Sequence, residues 1–172
     1  MKDCVSALSV RFKGETSMIV TPIVVVNPQS GERCAIRAMW DTGSRYCLIS
    51  ESLCRHLRLK FDTVKKVVTV NSSSHHRAGV VSVALCDDAS AVPVSAILMP
   101  DIPGGMFEFV IGMNFIKKGE MLLSFKDHET VFSFMIPAKG SFDYVVQNCL
   151  ISVPSVVCSV YECQDPDEIA EN

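Results

Sequence analysis

No two of the eight cysteines (Cys4, Cys34, Cys47, Cys54, Cys86, Cys149, Cys158 and Cys163) are spaced as Cys-x-x-Cys. That absence argues against a zinc ribbon or a thioredoxin-like redox pair. There is no dense basic cluster, and the formal net charge is −3, so nothing in the chain points to nucleic acid. No apolar run approaches the roughly 20 residues that a membrane helix needs. The longest, Met18 to Val26, is interrupted by Thr21 and Pro22. The opening stretch MKDCVSALSVRFKGE has no apolar segment of the secretory kind. The expectation is a cytoplasmic protein with reduced thiols, no membrane contact, no metal and no cofactor. No internal repeat is visible.

What the chain does have is apolar material. Its 172 residues fit one domain of ordinary size with room for a tail, enough to bury a core without staples. Hydrophobic residues make up 48%, the rich end for a globular chain, which favours an oligomer that hides the surplus.

The pattern is mostly strand. Ala7 to Phe12 alternates, Met18 to Val26 is rich in Val and Ile, and Asn27-Pro28-Gln29-Ser30-Gly31 is a turn cluster. Cys34 to Trp40 is a strand that delivers Asp41, and Tyr46 to Ile49 a short return. One helix is expected, with Ser50 as N-cap, Glu51 in the first turn, Leu53 and Leu57 on one face, and an end near Leu59. Val64 to Val70 and Val80 to Leu85 flank a polar hairpin tip, Asn71-Ser72-Ser73-Ser74-His75-His76-Arg77-Ala78-Gly79. Further strands are Ala91 to Met99, broken by Pro93, then Phe107 to Ile111, Met121 to Phe125 and Thr130 to Ile136. Residues 1–145 form the expected domain. Residues 146–172 are an extension: Val145 to Val160 reads either as an added strand or as an interface segment, and the acidic end, Cys163 to Asn172, as disordered.

The stretch MWDTGSRYCLIS at 39–50 sets a carboxylate, a hydroxyl and a glycine between two apolar flanks. It is either an ordinary tight turn or a carboxylate held at the floor of a site. Far downstream, Phe109-Val110-Ile111 meets Gly112 and then Met113-Asn114-Phe115-Ile116. His75 and His76, adjacent on a polar loop, read as solvated side chains rather than ligands. Cys47 and Cys54 read as small core residues.

Asp41-Thr42-Gly43-Ser44, the polar hairpin tip and Val110-Ile111-Gly112-Met113-Asn114 together resemble the retropepsin-like aspartic proteases. The stretch IGMNFIKKGEMLLSFKDHETVFSFMIP is similar to the bacterial branch of that family. The resemblance covers about residues 34 to 145. It implies an all-β, acid-protease-like barrel and peptide-bond hydrolysis. Two carboxylates sharing one proton would activate a water, and no covalent intermediate would form. The sequence carries one Asp-Thr-Gly and no Asp-Ser-Gly, so the implied assembly is a homodimer that brings two Asp41 side chains together. By the same resemblance, Thr42 would brace the two loops and Gly43 would keep the floor low. Ser44 would act either as a plain turn hydroxyl or as a donor to the Asp41 carboxylate. Ile111 and Gly112 would support the loop, and Asn71, Ser72, Ser73, Ser74 and His75 would lie in a flap over a peptide substrate. The viral members pair an Asp two residues past the motif glycine with an Arg after the downstream glycine. Here those places hold Arg45 and Met113, and Asn114 stands where the bacterial members often have Asp. These departures leave a second reading, a dimeric peptide-binding module with the same fold and no turnover.

Overall fold

The computed structural model describes residues 6–68, 72–87, 89–100, 102, 106–126, 128–136 and 160–163. The chain divides into two compact units, Met18–Lys117 and a second built from Met1–Ser17 with Lys118–Asn172.

The first unit holds seven strands: β2 (Val20–Val26), β3 (Arg33–Trp40), β4 (Cys47–Ser50), β5 (Thr63–Val68), β6 (Ser73–Ala84), β7 (Val92–Met99) and β8 (Phe109–Ile111). Their order is β2-β3-β8-β4-β7-β6-β5, and β2 also pairs with β6 through Val24↔Ala84 to Val26↔Ser82. That extra pairing closes six of the strands into a barrel and leaves β5 outside the ring, attached to β6 alone. The β-branched run of β2 suits this position, because its Val24, Val25 and Val26 have a strand on each side and are buried. Val24 and Val26 form a small buried cluster with Ala84, against which Ala89 and Ala91 pack, while Val25, opposite Val83 on β6, faces the other side. Val81, Val83, Ile97, Phe109 and Ile111 are buried as well.

Pro22 and Pro93 both sit inside strands. Each occupies a stretch paired on one side only, Pro22 with Arg37 and Pro93 with Ser82, where a missing N–H is tolerated. Strand β7 therefore runs through Pro93 instead of breaking there. Helix α1 (Glu51–His56) starts as expected, with Ser50 Oγ accepting the Leu53 N–H at 3.1 Å. The buried Asn27 amide closes its other end by donating to the Leu57 carbonyl at 2.8 Å. A second helix, α2 (Met113–Ile116), is a single turn, too short to leave a periodic signal in the sequence.

The other unit is an open sheet of β1 (Ser6–Lys13), β9 (Glu120–Lys126), β10 (Glu129–Ile136) and β11 (Val160–Cys163), in the order β11-β1-β10-β9. Leu8, Val10 and Phe12 of β1 share one buried face with Phe132 and Phe134 of β10. Strand β11 runs parallel to β1, so residues 160–163 of the extension form an added strand. The rest of Val145 to Val160 and the acidic end beyond Cys163 lie outside the described residues.

Among the described residues no helix is long and apolar enough to cross a membrane.

Candidate active site

Strands β3 and β8 run parallel, with Trp40 opposite Ile111, so the chain leaves both at the same level. Asp41 and Gly112 are thereby set side by side, and the Asp41 N–H continues the ladder to the Ile111 carbonyl at 2.9 Å. Trp40 anchors the exit. Its indole N–H donates to the buried Thr21 hydroxyl at 2.8 Å, and its ring lies 6.2 Å from that of Phe115. Thus the apolar flank of the motif fixes where the carboxylate begins.

The loop then turns on its own carboxylate. Asp41 Oδ1 accepts the Gly43 N–H at 2.8 Å, an Asx turn, and the Asp41 carbonyl accepts the Ser44 N–H at 3.3 Å. Oδ2 has no partner among the described residues. Asp41 is half-buried, while Thr42 and Gly43 are exposed at the apex. Ser44 corrects one of its two expected roles. Its hydroxyl donates to the Tyr46 carbonyl at 2.7 Å, so its only proton is directed along the loop and not at Asp41.

Gly112 and Asn114 hold the far side of the loop. A Cβ at Gly112 would come within 2.3 Å of the Tyr46 carbonyl oxygen and 2.4 Å of its carbon, so only glycine permits this approach. The Ser44 and Arg45 carbonyls accept the Met113 and Asn114 N–H groups at 2.8 and 3.1 Å. The Asn114 side chain spans the gap. Its Oδ1 accepts the Cys47 N–H at 2.9 Å, and its Nδ2 donates to the Ser95 carbonyl at 2.7 Å on β7. Both halves of an amide are used, and an ionised carboxylate at 114 could supply only the first. Cys47 is buried beside them, its Sγ 3.5 Å from the Gly112 N–H. Burial pushes its thiol up to about 12, against a smaller opposing pull from that N–H, so it is a neutral core group at neutral pH.

The hairpin β5–β6 is longer than expected. Ser73, Ser74 and His75 are strand residues, paired with Val68, Val67 and Lys66, and the connection narrows to residues 69–72. Their polarity mimics a loop, but β6 is held in register by β5 at one end and β7 at the other. Asn71 lies outside the described residues, and Ser72 is exposed beside it. Lys65 on β5 reaches back, its ammonium 4.4 Å above the Tyr46 ring and 2.9 Å from Ser95 Oγ. Tyr46, Lys65, Ser95 and the bridging role of Asn114 were not legible in the sequence.

A family model described as Aspartyl protease matches residues 24–115, more than half of the chain. The chain belongs to the aspartyl protease family. The match runs from β2 to α2 and takes in the Asp41 loop, the hairpin and Gly112. Among solved structures, a retropepsin-like aspartic protease from Rickettsia conorii is similar at 11% identity and a TM-score of 0.52, covering 79% of this chain and 98% of that one. This family member therefore has the retropepsin-like fold. Two weaker likenesses are EIAV protease complexed with the inhibitor HBY-793, at 10% identity and TM-score 0.42, and the retroviral protease-like domain of Ddi1 from Leishmania major, at 16% and 0.41. They cover 59% and 63% of this chain, and 86% and 82% of theirs. No curated protein gives a significant match.

Proposed function

We propose that the chain is one half of a cytoplasmic aspartic endopeptidase, a homodimer in which the Asp41 carboxylates of two copies meet and share a proton. The observation that carries this reading is the Asp41 loop itself. It is a family-typical loop braced on every side, it presents one carboxylate half-exposed, and the chain carries it once. Two such groups a few ångströms apart cannot both ionise. The ionised one takes a proton from a water between them as that water attacks the peptide carbonyl, and the protonated one donates to the carbonyl oxygen. Thr42, exposed at the apex, is placed to brace a second copy's loop. Gly43 leaves room for substrate backbone, and the β5–β6 hairpin serves as the cover that excludes water. We place the enzyme with the bacterial branch on the run Ile111-Gly112-Met113-Asn114. The free thiols of Cys34, Cys47, Cys54 and Cys86 suit a reducing compartment.

The test is cleavage of a peptide library from pH 3 to 8 by wild type and by Asp41→Asn. Wild-type cleavage that falls by at least about a hundredfold in a folded variant supports the reading. Equal rates overturn it. Tight peptide binding by wild type without cleavage selects the binding-module alternative.

A further inference from the structure

The β5–β6 hairpin turns one face toward the strand that leaves the Asp41 loop. Along β5, Lys65 and Val67 are half-buried and alternate with exposed Val64, Lys66 and Val68. Lys65 is therefore on the inward face, and its reach shows where that face looks. Its ammonium stands 4.4 Å from the centre of the Tyr46 ring and 2.9 Å from Ser95 Oγ. Tyr46 is tied directly to the loop, since its carbonyl accepts the Ser44 hydroxyl. His76, opposite Lys65 on β6, shares the inward face and is half-buried too.

The charge in this region is one-sided. The whole chain has a net charge of −3, yet residues 42–50 and 63–79 contain Arg45, Lys65, Lys66 and Arg77 and no Asp or Glu. Asp41 apart, loop and hairpin bring no carboxylate to one another. Lys65 is the most firmly placed of these cations. An ammonium has three protons to donate and accepts none. Its printed partners are a hydroxyl and an aromatic ring, and among the described residues no carboxylate pairs with it. A half-buried cation attracts a carboxylate more strongly than one in open water. Arg45, the neighbour of Tyr46, is exposed and likewise has no ion-pair partner among the described residues.

We propose that Lys65 is a specificity residue that selects peptides with an acidic side chain at the position meeting the hairpin's inward face. The Asp or Glu carboxylate of the peptide accepts from the ammonium protons that Ser95 does not use, and Arg45 adds to the attraction. The proposal rests on the endopeptidase reading above and names its substrate class, acidic peptides.

Steady-state cleavage at about pH 6, where substrate carboxylates are ionised, tests it. A peptide that wild type cleaves is remade with Glu, Gln or Lys at each position flanking the cut bond in turn. At one position wild type is expected to prefer Glu over Gln by about tenfold in kcat/KM, with Lys the poorest. Lys65→Met is expected to bring the Glu-to-Gln ratio to about one, and Lys65→Arg to keep the preference. Lys65→Glu is expected to turn the preference toward Lys. A side chain that only tied the hairpin down would change the three peptides alike. Equal cleavage of the Glu and Gln peptides at every position, or a Glu preference that survives in Lys65→Met, overturns the acidic-substrate proposal and leaves the endopeptidase reading standing. A wild type that cleaves no peptide, or cleavage that Asp41→Asn leaves untouched, overturns that reading and the proposal with it.

Discussion

The Asp41 loop and the β5–β6 hairpin belong to the same barrel unit and are held in different ways. The loop is tied to β8 through Ile111 and to α2 through Met113 and Asn114, and Asn114 is in turn bonded to Ser95 on β7. The outer strand of the hairpin, β5, pairs with β6 alone, and Val64 and Val68 on it are 65% and 71% exposed. The hairpin's side-chain ties inward include, from β5, Lys65 to Ser95 and Tyr46 and, from β6, Arg77 Nε to the Phe61 carbonyl at 3.1 Å. On the proposed function, the floor that fixes a carboxylate is over-determined, and the hairpin proposed as the cover is not.

The comparison breaks most severely at Gly112. Gly112→Ala drives a methyl into the Tyr46 carbonyl, so the loop or α2 must shift. The expected cost is about 3 kcal/mol in urea unfolding, with loss of activity in whatever folds. A wild-type midpoint would show that the loop yields as easily as the hairpin.

Asn114→Asp comes next. It keeps an acceptor for the Cys47 N–H but turns a charged oxygen toward the Ser95 carbonyl where a donor stood. About 2 kcal/mol of destabilisation is expected at pH 7, recovering toward acid pH as the new carboxyl regains a proton to donate. Equal stability of the two forms at pH 7 would remove Asn114 from the bracing.

The loop also has an alkaline limit. The Cys47 thiol titrates near 9.0 when unfolded and near 12 when folded, so its contribution is complete below pH 9 and is lost as pH rises from 9 toward 12. At pH 10 the loss is about 1 kcal/mol. Urea midpoints of wild type and Cys47→Ala followed from pH 8 to 11 check this, with the steeper alkaline fall expected in wild type.

The smallest effect lies in the hairpin. Lys65→Met keeps the stem and removes the charge and the hydrogen bond to Ser95. Amide exchange in β5 is expected to quicken by a factor worth about 1 kcal/mol or less, with the global midpoint unmoved. Unchanged exchange would show that Lys65 is no tether.

Much of this organisation is legible in the sequence where the signal is local. Period-two and β-branched runs locate the strands, Ser50 before Glu51 locates the helix start, and Asp41-Thr42-Gly43 after an apolar strand locates the loop. What is not legible depends on residues distant in sequence. Asn114 bridges partners 67 and 19 positions away, and only the folded barrel shows why an amide stands there. Ser73 to His75 carry loop-like side chains on a backbone whose pairing is set by neighbours. In each of these cases tertiary pairing overrides a local preference.

The central claim is that one Asp41 is half of a catalytic pair, and mixing tests it most directly. Wild-type chains are held at a fixed concentration, equilibrated with increasing excess of Asp41→Asn, and assayed on a cleavable peptide. The account predicts that activity per wild-type chain falls in proportion to the wild-type fraction, as mixed dimers take up the functional chains. Activity per wild-type chain that stays constant through a large excess of the variant, with exchange between copies verified, would contradict it.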